Sequence, residues 1–289
     1  MMMNHFLDMD EQYTLLDSAQ YVLLPVGYDG TSTFIKGADK GPQALLDASD
    51  SLELYDPVYG IEAYKAGIYT DTFEYDFSTP NVMLNSVYMR IKHFLELKKT
   101  PAILGGEHSV SIGAIKAMSE QYENLSVLQI DAHADLRDEY HGSPYNHACV
   151  MRRAQEYAHV VQVGIRNVCV EEKPNLIAED VFYAHQIHNH LAWIPKVIER
   201  LDDQVYLTID LDGFDPSIVP GTGTPLPGGL TWYSVITLLE QLFASKKVVG
   251  FDVVELCPLP DNKISDVLAA TLVYKIITLF EVYKKNSLH

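Results

Sequence analysis

The stretch LSVLQIDAHAD (125–135) decides the fold. A nearly continuous apolar run ends abruptly in Asp131, His133 and Asp135. Runs of this kind read as strands buried on both faces of a parallel sheet. In an extended chain, residues two apart point to one side. The spacing therefore predicts that these three side chains converge on one point just past a strand end.

The same device recurs outward along the chain. Apolar runs stand at YVLLPVG (21–27), AILGGEH (102–108), HVVQVGIRN (159–167), VYLTIDLDGFD (205–215) and KVVGFDVVEL (247–256). Between them lie stretches of helical periodicity at 82–98, 109–121, 190–201, 231–245 and 265–285. Another opens at Pro42, a proline suited to a first helical turn and leading PQALLDASDSLELY (42–55). Thr231 is placed to cap the helix that follows it, and a serine to cap the one at 109–121. Alternation of strand and helix predicts an α/β fold, a mainly parallel sheet in a three-layer domain with helices on both faces. No linker, repeat or low-complexity tract interrupts residues 1–289, which read as one domain. In such sheets, sites form at the carboxyl ends of strands.

Three strand ends deliver metal-type ligands. His108 closes one run, Asp131, His133 and Asp135 a second, and Asp210 and Asp212 a third. Two imidazoles and four carboxylates exceed what one ion needs, and the set lacks the cysteines of a structural zinc site. Carboxylate-rich sites with some imidazole suit Mn2+. Four clustered aspartates would repel one another without cations. Two divalent ions sharing carboxylates would cancel that charge and form a hydrolytic pair. A lone Asp-x-Asp after a strand is often a turn or cap; the three segments together point to metal.

Composition narrows the partners. The chain has 289 residues, with 39 acidic and 21 basic side chains and a formal charge of −18. Nucleic acid and anionic membranes need clustered Lys and Arg, so both are disfavoured, and cationic ligands remain. Residues 1–85 hold 14 acids against three bases, which reads as a solvated surface. Three unpatterned cysteines make no disulfide framework, and no run approaches the about 20 apolar residues of a membrane span. With no signal-peptide pattern at MMMNHFLDMD, the expectation is a cytoplasmic protein.

The segments GGEHS (105–109), DAHAD (131–135), TIDLDGFDPSIVPGTGTPLPGG (208–229) and GFDVVELCP (250–258) resemble the ureohydrolase family of arginases and agmatinases. GYDGTSTFIKGADKGPQAL (27–45) is similar to that family's N-terminal loop and first helix. The resemblance implies an arginase-like fold with an eight-stranded sheet and a cluster of two Mn2+. It implies His108 and Asp135 on one ion, His133 and Asp212 on the other, and Asp131 and Asp210 bridging. It further implies that Asp135 relays a proton, that His147 shuttles one, that Glu255 binds the guanidinium and that Thr224 lines the pocket. Read without the resemblance, His147 is an ordinary surface or core histidine, Glu255 a salt-bridge partner of Arg166 or another base, and Thr224 part of a turn. Glu107 stands where many relatives have Asp, and is expected to sit behind the site.

The loop LRDEYHGSPYNHACVMRR (136–153) resembles agmatinases. Asp138 and Glu139 would suit a distal ammonium, whereas Arg137 argues the other way. The expected reaction is agmatine plus water to putrescine plus urea. The alternatives are N(1)-aminopropylagmatine or another guanidino compound as substrate and, more distantly, a non-catalytic regulatory protein of the same fold. The resemblance also implies a homo-oligomer, a trimer or hexamer. The histidines at 185, 188 and 190 read as a solvated loop, and Cys149 and Cys257 as small buried side chains.

Overall fold

The apolar runs fold as strands of one sheet because both sheet faces are covered. In the computed structural model, which describes residues 5–188 and 190–284, successive residues of the first run enter opposite cores. Tyr21 and Leu23 belong to one apolar cluster, Val22, Leu24 and Val26 to the other. With both sides apolar, the period-two alternation of a half-buried strand disappears into a continuous run.

The strands are β1 (Tyr21–Val26), β2 (Ile68–Thr70), β3 (Thr100–Gly105), β4 (Leu125–Ile130), β5 (His159–Ile165), β6 (Val181–Tyr183), β7 (Gln204–Asp210) and β8 (Lys247–Val254). Their order is β2-β1-β3-β8-β7-β4-β5-β6, and every pairing is parallel. The expected eight-stranded sheet is therefore present. The six long runs all fold as strands. The two outer ones, β2 and β6, have three residues each, too few to register as a run.

The helices are α1 (Gly41–Ser49), α2 (Pro80–Glu96), α3 (Ser111–Gln121), α4 (Val150–Ala154), α5 (Ala184–Ile187), α6 (Ile194–Arg200), α7 (Trp232–Ser245) and α8 (Ile264–Lys284). Side chains of α2, α3 and α4 pack into the cluster on one sheet face, and those of α1, α6, α7 and α8 into the other. This is the three-layer arrangement. Thr231 caps α7 as expected, accepting from the Ser234 N–H at 3.2 Å. At 109–121 the cap is different. Residues 108–110 form a short 3-10 turn, and Glu107 rather than a serine accepts there, from the Ser109 N–H at 2.7 Å. Helix α1 ends at Ser49, short of the periodic stretch that extends to residue 55. Residue 285, at the end of the C-terminal stretch, lies outside the described residues. No described helix is long and apolar enough to cross a membrane.

The four adjacent strands β3, β8, β7 and β4 point their carboxyl ends the same way. Asp210 is the last residue of β7, and the candidate site residues 108, 131–135, 212 and 255 follow the ends of these strands.

Candidate active site

Asp131, His133, Asp135, Asp210, Asp212 and His108 come together, all buried except His133, which is half-buried. The His108 Nδ1 lies 3.1 Å from Asp135 Oδ2, 3.2 Å from Asp131 Oδ2 and 3.4 Å from Asp210 Oδ2. The His133 Nδ1 lies 3.0 Å from Asp212 Oδ2 and 3.6 Å from Asp131 Oδ1. Two triplets, His108–Asp131–Asp135 and Asp131–His133–Asp212, each have ligand atoms within 4.8 Å of one another and share Asp131.

The tautomer of His108 suits the cluster to a cation. Its Nε2 is 2.9 Å from the Thr208 Oγ1, and that hydroxyl donates to Asp252 Oδ1 at 2.6 Å. The hydroxyl proton is thus committed, and Nε2–H must be the donor to Thr208. In the neutral ring Nδ1 is then a bare lone pair; it is buried with no hydrogen-bond partner and faces three carboxylate oxygens. Only a proton or a metal ion reconciles four acceptors at such distances.

The electrostatics agree. Burial and the charge of Asp131 raise the Asp135 carboxyl to about 7. Burial, with Asp212 and Asp131 nearby, pushes Asp210 well above the usual carboxylate range. Burial alone would lower the imidazoles, but the surrounding carboxylates override it, holding His108 well above its ordinary value and His133 at about 12. Asp131 goes the other way: burial would raise it, but hydrogen bonds to His108 and His133 hold it well below the usual carboxylate range, so the buried carboxylates lean on the two imidazoles for positive charge.

The DAHAD turn converges by a route the strand argument did not give. Beyond Ile130 the regular ladder gives way to a single parallel bridge between His133 and Asn167, and Asp135 takes a left-handed backbone, φ 54°. Strand alternation therefore does not aim Asp135; a turn does. Glu255, at φ 63°, is the other left-handed non-glycine residue beside the cluster. Such conformations cost of order 1–3 kcal/mol each and gather at functional sites.

Glu255 lines the same cleft. Its Oε1 accepts from the His108 backbone N–H at 2.9 Å, and burial, then the nearby Glu107, raises its carboxyl well above the usual range. The salt bridge to Arg166 does not form. That guanidinium instead donates to the carbonyls of Asp212 (2.6 Å), Leu226 (2.8 Å) and Phe214 (3.2 Å). Thr224 also lines the cleft, and its hydroxyl donates to Asp212 Oδ2 at 2.9 Å.

His147 stands across the cleft on a short turn. Its backbone N–H donates to Thr31 Oγ1 at 3.0 Å, and its ring nitrogens lie 3.4 Å from the Thr31 and Thr33 hydroxyls. Burial lowers its pKa to about 4, so the ring is neutral near pH 7. Glu107 sits behind the site, fully buried, as expected. It accepts from the Thr31 hydroxyl at 2.8 Å and from the Ser109 hydroxyl at 2.9 Å.

The acidic pair of the 136–153 loop is placed otherwise than expected. Asp138 is exposed and pairs with Arg152 at 2.7 Å, and neither it nor Glu139 lines the cleft. That loop contributes Arg137 and Tyr140, the guanidinium 4.6 Å from the ring centroid. A further carboxylate in the wall, beyond that loop, is Glu172, which accepts from the Leu136 N–H at 2.9 Å and the Cys169 N–H at 2.7 Å. The only sequence signal for it was the Glu-Glu pair at 171–172 after a strand end, and only the second of these is buried. Cys149 and Cys257 are buried, and the histidines at 185, 188 and 190 are exposed, as expected.

Comparison with known proteins agrees with this geometry. Residues 19–278 match the model of the arginase family. The chain is 39% identical to the N(1)-aminopropylagmatine ureohydrolase of Synechocystis sp., over 92% of this chain and 91% of that one. It is 33% identical to the agmatinase of Pyrococcus horikoshii, over 93% and 95%. The agmatine ureohydrolase of Thermoplasma volcanium superposes with a TM-score of 0.84 at 32% identity, over 93% and 92%. An arginase from Bacillus subtilis shares the fold, with a TM-score of 0.74. The chain belongs to the arginase family and is a ureohydrolase, an enzyme that hydrolyses a guanidino C–N bond.

Proposed function

We propose that this ureohydrolase acts on N(1)-aminopropylagmatine, giving spermidine and urea. What carries the substrate is the relation to the relatives: identity is higher to the protein named for that substrate than to the agmatinase. The cleft supports a cationic ligand, since Glu255 and Glu172 both line it without a salt-bridge partner among the described residues. Agmatine, giving putrescine and urea, is the second reading, favoured by the superposition on an agmatine ureohydrolase.

His108 and Asp135 would hold one ion and His133 and Asp212 the other, with Asp131, common to both triplets, and Asp210, beside His108, shared by the two. The donors fit two hard divalent ions, Mn2+ by the chemistry of carboxylate and imidazole. Two such ions would supply a water of lowered pKa, so that hydroxide is available near neutrality.

The chain's own residues do the rest. Glu255 holds the substrate guanidinium by charge-assisted hydrogen bonds, using the oxygen not taken by the His108 N–H. Thr224 steadies Asp212 from the cleft side. Asp135 takes the proton released by the water as oxygen bonds to the guanidinium carbon. Asp135 returns that proton to the amine nitrogen as the C–N bond breaks, and His147, neutral and half-buried, relays the remaining hydroxyl proton from the protonated urea to the departing amine. One guanidinium and one water become one urea and one ammonium, so charge is conserved.

The test is urea release by Mn2+-loaded protein with N(1)-aminopropylagmatine, agmatine, guanidinobutyrate and arginine side by side. The highest kcat/KM should belong to N(1)-aminopropylagmatine. Preference for agmatine selects the second reading, and preference for arginine overturns both. No urea from folded, metal-loaded protein would instead favour a regulatory role.

A further inference from the structure

We propose that a buried amide pair, Gln129 and Gln162, positions Asp131 and the turn after it for metal binding. The inference rests on reading Asp131, His133 and Asp135 as ligands or part of the ligand turn. Both glutamines lie inside otherwise apolar strands, 0% and 2% exposed, and are direct partners in the β4–β5 ladder. A buried amide is tolerated only when its hydrogen bonds are made.

Here the bonds all run toward the DAHAD turn. The Gln162 amide nitrogen donates to Gln129 Oε1 at 2.5 Å and to the Ala134 carbonyl at 2.7 Å. The Gln129 amide nitrogen donates to Asp131 Oδ2 at 2.7 Å and to the His133 carbonyl at 3.2 Å. A carboxylate and two carbonyls can only accept, so the direction of both amides is fixed. The pair thereby fixes two successive carbonyls of the turn, just ahead of the left-handed Asp135.

The consequence for Asp131 is specific. Its Oδ1 accepts from the His133 N–H at 2.6 Å, and its Oδ2 accepts from Gln129. Each carboxylate oxygen offers about two lone pairs, so one remains free on each oxygen. The residue is held with one oxygen toward each triplet. Without the Gln129 donor, Oδ2 loses the hydrogen bond that tethers it, and without Gln162 the Gln129 amide loses the donor on its oxygen.

Gln162 touches no ligand side chain, which makes it the informative position. The experiment is calorimetric titration of metal-free protein with Mn2+, wild type against Gln162→Met, with melting temperatures recorded in chelator. Gln162→Met conserves volume and removes both donated bonds. The expected result is two ions bound by wild type and affinity weakened about 10–100-fold in the variant. KM for the guanidino substrate at saturating Mn2+ should stay unchanged. A lowered melting temperature with wild-type Mn2+ affinity would overturn the proposal and leave the glutamines a packing role. Wild type that fails to bind two ions would instead overturn the ligand reading itself. If Gln162→Met does not fold, Gln162→Glu keeps the shape while removing amide donors, and the same titration decides.

Discussion

A single hydrogen bond, 2.9 Å from the His108 backbone N–H to Glu255 Oε1, ties the candidate guanidinium anchor to the candidate metal cluster. The bond spans 147 residues of sequence and joins the turns after two neighbouring strands, β3 and β8. Glu255→Gln keeps an oxygen for that N–H and removes the charge. It should lower kcat/KM by roughly 10–100-fold, the worth of a hydrogen bond to a charged group. Bound metal should stay at the wild-type level. Steady-state kinetics with metal analysis of the same sample checks both halves.

Asp131 belongs to both triplets, so its loss should uncouple them together. Asp131→Asn should weaken Mn2+ affinity by at least about 100-fold and remove activity with it. Metal content after gel filtration, alongside urea release, is the measurement. Full activity in this variant would refute the assignment.

Far from the site, Asp71 and Arg90 form a two-pronged pair at 2.6 and 2.7 Å, the carboxylate 1% exposed. The guanidinium also lies 4.4 Å from the Phe94 ring centroid. Arg90→Met keeps the apolar stem and strands a buried charge. It should destabilise the fold by about 3–5 kcal/mol, read from urea unfolding.

Asp215 closes the loop that carries Thr224, accepting from the N–H groups of Ser217, Gly228 and Gly229. Hydrogen bonding from Ser217, with those of the two glycines, outweighs partial burial and lowers its pKa to about 2. A depressed carboxyl binds fewer protons folded than unfolded. Its contribution is therefore complete above the ordinary value near 3.8 and is lost as pH falls through about 2. The stability gap between wild type and Asp215→Asn should accordingly shrink over that window in acid unfolding.

Asp138 and Glu139 face away from the cleft, so changing both to their amides should leave kcat/KM within roughly twofold, as for other surface positions. A larger loss on either cationic substrate, agmatine or N(1)-aminopropylagmatine, would mean that the loop closes over it.

What was legible in the sequence were features carried by local pattern. Strands covered on both faces show as unbroken apolar runs, and a ligand at the end of such a run can face only the carboxyl edge. That is why Asp131, His133, Asp210, Asp212 and His108 could be placed together. Direction beyond a strand end was not legible. Asp138 and Glu172 are both acids in loops, yet Arg152 draws one outward while two backbone N–H groups turn the other inward. Gln129 is a polar interruption in an apolar run, and its partner Gln162 sits 33 residues on. Nothing local announces that pairing. Strands β2 and β6 escaped notice because three residues at a sheet edge leave no periodicity.

The strand order also governs when the enzyme can become an enzyme. β8 is the last strand to be synthesised among those described, yet it lies in the middle of the sheet, between β3 and β7. Until it inserts, β3 and β7 have no partner on the sides it will fill, and Glu255 is absent from the cleft. Whatever part of β2-β1-β3 or of β7-β4-β5-β6 has folded before residue 254 emerges has an open inner edge. Contacts of such sequence separation form slowly and leave those edges prone to aggregation in the meantime. The candidate cleft is thus completed only when the central strand joins its two neighbours.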